Sequence, residues 1–268
     1  MDQPKSILDR IIQSKNIQES AQFKPAELIS ELLKDLTPKE REVVSRRFGL
    51  DGADVQTLEE IGKTFQITRE RIRQIQSAAI RKIRELAQAK QRLNALRHTV
   101  TRLIHEHGGI IEANTFYEQL LQHSERLPRH HQAANFIVSQ LLVDEIDRVR
   151  PSDHFHAGWK LKLLDETFVR ESLEIFQRIV ETEQRLLKLE DLIERFQKHE
   201  FFQEHQQRFI PLGLDVMDDE RESLNRVLRS YLTISRRIDC NLLGEWGLTA
   251  WPTVRPRRMG DKIYLILR

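Results

Sequence analysis

The segment from residue 57 to residue 86 constrains the fold more than any other part of the chain. Thr57 followed by Glu60 is the capping-box pattern of a helix start, and Thr68 is a suitable N-cap for a second helix. Only Gln66 and Ile67 connect the two helices. The second helix carries an apolar stripe with spacings of 3, 4, 4 and 3 residues: Ile72, Ile75, Ala79, Ile83 and Leu86. Two capped helices with so short a connection predict a helix-turn-helix motif.

The apolar stripe leaves one polar face of this second helix in solvent, near its N-terminal end: Arg69, Glu70, Arg73, Gln74 and Ser77. In a helix-turn-helix motif, that end of the helix enters the DNA major groove. There arginine pairs with guanine, glutamine pairs with adenine, and a carboxylate accepts from cytosine. We therefore predict base contacts for this face, with an ordinary solvated basic face as the alternative. Later cations suit phosphates: Arg81, Lys82 and Arg84.

Charge is distributed unevenly, although the net charge is only +2. Residues 69–97 hold nine Lys and Arg against two acids, whereas residues 165–228 hold sixteen acids against nine cations. Residues 229–268 are basic again, with eight cations against three acids. The first basic segment suits a nucleic acid partner. The acidic segment is typical of a solvated surface, and a protein-binding face is the alternative.

The motif extends into a longer recognisable segment, LTPKEREVVSRRFGLDGADVQTLEEIGKTFQITRERIRQIQSAAIRKIR, residues 36–84. It resembles region four of the sigma-70 family of bacterial RNA polymerase initiation factors, which binds the −35 promoter element. The block TLEEIGKTF, followed after two residues by TRERIRQI, is the most specific part. The resemblance implies that Arg69, Glu70 and Gln74 contact bases and that Arg71 and Arg73 lie at basic, backbone-contacting positions.

This resemblance also implies a surface for RNA polymerase core. The sequence departs from the family at Gln76, where Glu is usual, and at Ala78, where Lys is usual. A complete sigma factor also needs an aromatic-rich region that captures the −10 element, yet the 35 residues before Leu36 contain one aromatic residue, Phe23. We therefore expect an accessory or regulatory factor that does not initiate transcription alone.

The remaining chain predicts two further modules of helices closed by strands. Residues 93–164 contain three helical stretches, a break at Gly108 and Gly109, and an alternating segment at 155–162. Residues 165–268 repeat that order with larger loops and end in an alternating strand at 263–267. We predict a mainly α protein: an N-terminal helical segment (1–35), a helix-turn-helix domain (36–92), and two winged-helix α+β modules (93–164 and 165–268).

The end of the chain resembles the wing of HARE-type winged-helix domains, as found in the delta subunit of RNA polymerase. The residues that carry this resemblance are Trp246, Trp251, Pro252, Arg255, Arg257, Asp261, Lys262 and Tyr264. Core packing explains the Trp residues and Tyr264 equally well. An arginine-rich wing tip, formed by Arg255, Arg257 and Arg258, is suited to phosphates or to a narrow minor groove.

Several classes of protein are not expected. No stretch approaches the roughly 18 uninterrupted apolar residues of a membrane span, and the N-terminus lacks an apolar signal sequence. The single cysteine, Cys240, excludes an intramolecular disulfide and any multi-cysteine metal site. We therefore expect a cytoplasmic, nucleoid-associated protein without a membrane partner.

Histidine pairs occur at His105 and His107 and at His154 and His156, but no acid and cysteine set completes a metal site. A phosphate-binding loop, a dinucleotide-binding turn and a nucleophile elbow are all missing from the sequence. We expect no enzyme activity, no metal and no cofactor.

These patterns together predict a transcription factor that binds double-stranded DNA, with RNA polymerase core as a further partner. The alternative is a non-catalytic subunit that targets or scaffolds a DNA-modifying or restriction system. In either case, DNA contact would come from the helix-turn-helix segment, and the winged-helix modules would add phosphate contacts or hold a protein.

Overall fold

The computed structural model describes residues 24–122, 127–210, 220–256 and 259. The described residues divide into two compact units, one within Met1–Thr101 and Tyr117–Glu145, the other within Arg102–Phe116 and Ile146–Arg268. This division by contacts separates parts of the predicted 93–164 module. The domain boundaries after residues 35, 92 and 164 were predicted from the order of helices and strands along the sequence, and they stay predictions.

Within the described residues, the first unit contains seven helices, two of which continue into the second unit. They are α1 (Pro25–Leu32), α2 (Pro38–Phe48), α3 (Leu58–Phe65), α4 (Arg69–Glu85), α5 (Ala87–Glu106), α6 (Ala113–Leu120) and α7 (Pro128–Phe136). A 3-10 turn, Leu33–Asp35, follows α1, and a π-helical turn, Ile137–Leu141, follows α7. The helix-turn-helix prediction is confirmed by α3 and α4, which are separated by Gln66, Ile67 and Thr68.

Local capping explains why α2 and α3 begin where they do. Thr37 accepts from the backbone N–H of Glu40, and the Glu40 carboxylate accepts in return from the backbone N–H of Thr37. Thr57 and Glu60 form the same reciprocal pair at the start of α3. Each box satisfies two N–H groups that a helix end leaves without an intrahelical acceptor. Both helix starts were therefore predictable from the sequence.

In the part of the second unit that the structure describes, there are two three-stranded antiparallel sheets and four further helices. The strands are β1 (Ile110–Glu112), β2 (Ile146–Val149), β3 (Gly158–Leu161), β4 (Leu187–Lys188), β5 (Ile238–Cys240) and β6 (Glu245–Leu248). The helices are α8 (Glu166–Glu183), α9 (Leu189–Gln197), α10 (Glu200–His205) with a 3-10 turn Gln206–Phe209, and α11 (Glu220–Ile234). The sheet orders are β1-β3-β2 and β4-β6-β5.

The two sheets are built in the same way from the same order of elements. From α5 to β3 the order is helix, strand, helix, helix, strand, strand, and from α8 to β6 it recurs with the short α10 inserted. In each sheet the last strand in the sequence, β3 or β6, lies in the centre. It pairs with β1 or β4 on one side and with β2 or β5 on the other. The protein is mainly α, and this arrangement agrees with a helix-turn-helix segment followed by winged-helix modules.

Aromatic packing dominates the core of the second unit. The Phe176 and Phe196 rings stack at 4.1 Å between centroids, and Phe196 meets Phe209 edge to face at 5.6 Å. All three side chains are fully buried. Burying a large aromatic side chain removes much apolar surface from water and stabilises the fold, and contacts between the rings add further stabilisation. This cluster joins α8, α9 and the turn after α10 into one core.

Some elements differ from the sequence-based expectations. The short strand β1 and the helix α10 were not predicted, and the alternating segment at 155–162 is a strand only over Gly158–Leu161. The predicted strand at 263–267 lies outside the described residues. Among the helices in the described ranges, none combines the length and apolar character that a membrane crossing requires.

Replacing Thr57 by alanine should destabilise α3 locally. The variant loses the side-chain acceptor for Glu60 N–H, and we expect the free energy of local opening to fall by about 1 kcal/mol. Native-state amide hydrogen exchange over residues 58–65 measures this change. Thr64→Ala is the matched control, because Thr64 donates to the Glu60 carbonyl of the same helix without capping it. An equal loss in both variants would contradict the capping assignment.

Candidate nucleic-acid interface

The turn before α4 fixes where this helix begins. Gln66 ends α3 in the left-handed conformation, with φ of 55°, and Thr68 then caps α4 by accepting from Arg71 N–H at 3.2 Å. Gly62 permits the tight turn, because a Cβ there would lie 2.8 Å from the Ile67 carbonyl oxygen. The connection between α3 and α4 is therefore set by local geometry.

Packing then fixes which face of α4 points outward. Ile72 lies fully buried against Val43 of α2 and Ile61 of α3. Ala79 and Ile83 continue the buried stripe along the helix. This core defines the rotation of α4 about its own axis. The predicted inward stripe is confirmed at these positions, with Ile75 only half-buried.

The opposite side of α4 is a continuous exposed polar face. We call it the α4 face, and its members are Arg69, Glu70, Arg73, Gln74, Ser77 and Arg81, all of which are exposed. At about 100° per residue they occupy an arc of about 140°. Arg71 is also exposed and lies about 60° outside this arc. The structure thus brings the predicted base-contacting residues onto one surface.

Two hydrogen-bonded pairs organise the α4 face. The Arg73 guanidinium donates two hydrogen bonds to the Glu70 carboxylate, at 2.7 and 2.8 Å, and the Arg71 guanidinium donates to Gln74 Oε1 at 3.1 Å. The hydrogen bond from Arg73 holds the pKa of the Glu70 carboxyl below its ordinary value. The Glu70 carboxylate is therefore an acceptor oriented by Arg73, and Gln74 contacts both the Arg71 guanidinium and the Glu70 carboxylate.

Other cations of the α4 face make no such pairs. Within the described part of the chain, the side chains of Arg69 and Arg81 form no hydrogen bond or ion pair, and neither does that of Ser77. Unpaired guanidinium groups on an exposed helix face keep all their donors for an external acceptor. Arg69 and Arg81 are thus the cations of α4 that are best prepared to contact an anion.

The two cations near the end of α4 have intramolecular partners instead. Lys82 lies 3.7 Å from the Glu40 carboxylate of α2. Arg84 donates from Nε to the Gln140 carbonyl at 2.7 Å, and its Nη2 donates to the same oxygen. Arg84, predicted to contact phosphates, is therefore engaged in holding α4 to the turn after α7. Neither partner was predicted, because both are distant in sequence and no local pattern indicates them.

The predicted wing arginines are only partly described. Arg255 Nε donates to Asp239 Oδ2 at 2.7 Å, and the Arg255 side chain is half exposed. Arg257 and Arg258 lie outside the described residues, as do Asp261, Lys262 and Tyr264. Trp246 is buried and Trp251 is half-buried, as expected for core packing of the wing.

The histidine pairs do not form a metal site in the described ranges, where no group of three or more potential metal ligands occurs. His107 is buried, and its Nδ1 lies 2.8 Å from the Leu103 carbonyl oxygen. Burial lowers the pKa of His107, so the neutral ring is favoured in the folded chain. His107 therefore belongs to the structural core.

The segment that carries the α4 face is similar to a known protein family. The family model described as "Sigma-70, region 4" matches residues 32–85, which run from the end of α1 to the end of α4. RNA polymerase sigma factor SigA of Clostridium acetobutylicum is 49% identical over 65 residues, which make up 24% of this chain and 17% of that protein. The resemblance of residues 36–84 is confirmed. The chain spans about a sixth of the length of the relative it matches.

The Glu70 carboxyl should titrate at lower pH than an ordinary glutamate. Its stabilising pair with Arg73 is then present above the ordinary pKa and is lost as the pH falls through the lowered one. Carbon-detected NMR titration measures the midpoint, which should rise toward the ordinary value in Arg73→Gln. Arg71→Gln is the control, since Arg71 donates to Gln74 and not to Glu70. A midpoint that Arg73→Gln leaves unchanged would contradict the assigned pair.

Proposed function

We propose that this chain binds double-stranded DNA by placing the α4 face in the major groove, in a transcription role like that of sigma region four. The observation that carries the proposal is the exposed arc of Arg69, Glu70 and Gln74 on a helix whose rotation is fixed by its buried side. The match of residues 32–85 to sigma-70 region 4 supports the same role.

Each side chain of the α4 face suits a distinct contact. Arg69 has unpaired donors for the two acceptors of guanine, and Gln74 suits adenine in a bidentate contact. Glu70 accepts from cytosine N4 in this proposal. The side chains of Glu70 and Arg73 are each more than half exposed. Breaking their ion pair, or sharing the Glu70 carboxylate with a base, therefore costs little free energy.

Phosphate contacts come from cations around the base-contacting residues. Arg71 lies beside the α4 face, and Arg81 lies about one turn beyond Ser77 toward the C-terminal end. Lys82 can exchange its 3.7 Å partner Glu40 for a phosphate, because this ion pair is partly exposed. Such contacts position the helix without selecting sequence.

We further propose an accessory, non-catalytic role, with RNA polymerase core as a partner and the bacterial nucleoid as the place of action. The sigma-70 region 4 family model matches residues 32–85, and the residues that follow build two three-stranded sheets with their helices. The chain therefore combines a promoter-type DNA contact with further modules.

Alanine substitutions on the α4 face should separate base contacts from phosphate contacts. Arg69→Ala and Gln74→Ala should each cost about 1–3 kcal/mol on the preferred site and relax the choice at one or two base pairs. Arg81→Ala should weaken binding to all sequences about equally. Selection of bound duplexes from a random pool, followed by affinity titration, measures both effects.

The salt dependence of binding, measured for the wild-type chain and for Gln74→Ala, tests separately whether phosphates are contacted. If five to eight phosphates are contacted, the log–log slope of affinity against salt should be about −4 to −7. Gln74→Ala should leave that slope unchanged, because glutamine carries no charge. A flat salt response, or an unchanged selected motif in Gln74→Ala, would contradict the proposal.

In vitro transcription tests the accessory role. Core polymerase with this chain alone should give no specific start, because strand capture needs aromatic stacking surfaces that the region-four segment does not provide. With a complete sigma factor present, the chain should change initiation at promoters that carry its site. The triple variant Arg69→Ala, Glu70→Ala, Gln74→Ala should lose that effect if it depends on DNA, and should retain it if it depends on the polymerase surface. Specific initiation with core enzyme and this chain alone would overturn the accessory role.

A further inference from the structure

Helix α11, in the second unit, carries an exposed polar stripe of its own. We call it the α11 stripe, and its members are Arg221, Asn225 and Arg229, all of which are exposed. Because they follow one another at intervals of four residues, they occupy an arc of about 80° and a length of about 12 Å along the helix. The major groove of B-DNA is also about 12 Å wide. The α11 stripe therefore fits the width of that groove.

The opposite side of α11 is buried, and this burial fixes the direction of the α11 stripe. Ser223, Val227 and Tyr231 follow the same four-residue spacing, and none of them is more than 1% exposed. On the same side, Ser230 Oγ donates to the Ile110 carbonyl at 2.7 Å. Helix α11 is therefore held at one rotation about its axis, as α4 is.

Two members of the α11 stripe have side chains that are available to an external partner. Within the ranges that the structure describes, neither Asn225 nor Arg229 forms a side-chain hydrogen bond or an ion pair. In the major groove, asparagine forms two hydrogen bonds with adenine, and arginine forms two with guanine. Asn225 and Arg229 are thus side-chain types that suit base edges.

The charge around the α11 stripe favours an anionic ligand. Residues 220–237 hold five arginines against two glutamates. The Glu222 carboxylate lies beside the stripe, but it is 3.9 Å from the Arg226 guanidinium, which also lies 3.7 Å from the Glu106 carboxylate. Glu220, the other glutamate, lies about 100° away from Arg221 around the helix. The acid next to the stripe is therefore already paired with a cation.

Two further exposed arginines follow the end of α11, Arg236 and Arg237. Arg236 Nη1 donates to the Ser152 carbonyl at 3.0 Å, and Arg237 Nη1 donates to Gln177 Oε1 at 3.5 Å. A guanidinium has five N–H donors, so each arginine keeps others for an external anion. Arg170 of α8 lines the same cavity as Arg237 and adds a further cation. These groups suit phosphates, which position a helix without selecting sequence.

We propose that the α11 stripe is a second DNA-contacting surface, and that its ligand is the major groove of double-stranded DNA. Asn225 and Arg229 contact base edges, and Arg236 and Arg237 contact phosphates. This proposal goes beyond the proposed function, since it assigns a sequence-selecting contact to the second unit and does not depend on the α4 face.

The DNA binding that remains in an α4-face variant tests this proposal in the full chain. The triple variant Arg69→Ala, Glu70→Ala, Gln74→Ala removes the base contacts of α4, and we expect it still to select a duplex motif from a random pool. Adding Asn225→Ala should weaken binding to that motif by about 5- to 150-fold and change the motif. Adding Arg229→Gln instead should weaken binding over the same range.

The matched control is Lys198→Gln in the same triple-variant background. Lys198 is an exposed cation of the second unit that pairs with Glu194, and its substitution removes one positive charge, as Arg229→Gln does. We expect Lys198→Gln to change the affinity by less than about threefold, because salt screens distant exposed charges. The thermal unfolding midpoint should be the same with and without Asn225→Ala or Arg229→Gln, since neither side chain bonds to the rest of the described fold.

Each outcome decides for or against the α11 stripe. A triple variant that binds no duplex, or whose binding is unchanged by Asn225→Ala and by Arg229→Gln, would overturn the proposal. Equal losses in Arg229→Gln and Lys198→Gln would overturn it too, because net charge alone would then explain the binding. Binding of polyglutamate in place of duplex, abolished by Arg229→Gln, would assign the stripe to an acidic protein instead.

The same variants separate this proposal from the proposed function. If the α4 substitutions leave the wild-type motif and affinity unchanged while Asn225→Ala and Arg229→Gln abolish selection, the proposed function fails and the α11 stripe is supported. If the α4 substitutions abolish all duplex binding, the proposed function is supported and the α11 stripe fails.

Discussion

The burial of Ile72 between Val43 and Ile61 is the contact on which the interface depends. A helix presents a defined face only if its opposite side is held, and this small apolar core holds α4 at a fixed rotation against α2 and α3. Fully burying an isoleucine is worth about 1.5–3 kcal/mol. Removing that side chain would therefore disturb the α4 face without changing any residue of that face.

In the helix-turn-helix segment, capping residues determine where each helix begins, and the buried side of α4 determines which face of that helix is exposed. Reciprocal threonine and glutamate caps fix the starts of α2 and α3, and Thr68 fixes the start of α4. The α4 face then stays in solvent, because the opposite side of α4 is buried against α2 and α3.

Local signals explain what the sequence could predict. Thr57 with Glu60, the short connection at Gln66 and Ile67, and the apolar stripe through Ile72 all act within a few residues, so the helix-turn-helix motif and its outward face were predictable. The contacts of Arg84 with Gln140 and of Ser230 with Ile110 join residues 56 and 120 positions apart. No periodicity or motif encodes such pairs, which is why Arg84 was assigned to phosphates and the contact between α11 and β1 was not predicted. Strand β1 was missed because three residues are too few to show alternation.

Amide hydrogen exchange of the full chain, with and without a duplex that carries its selected sequence, tests the central claim most directly. We expect DNA to slow exchange most strongly in the N-terminal half of α4, around residues 68–77. Protection concentrated elsewhere in the chain, with α4 unaffected, would contradict the assignment of base contact to the α4 face.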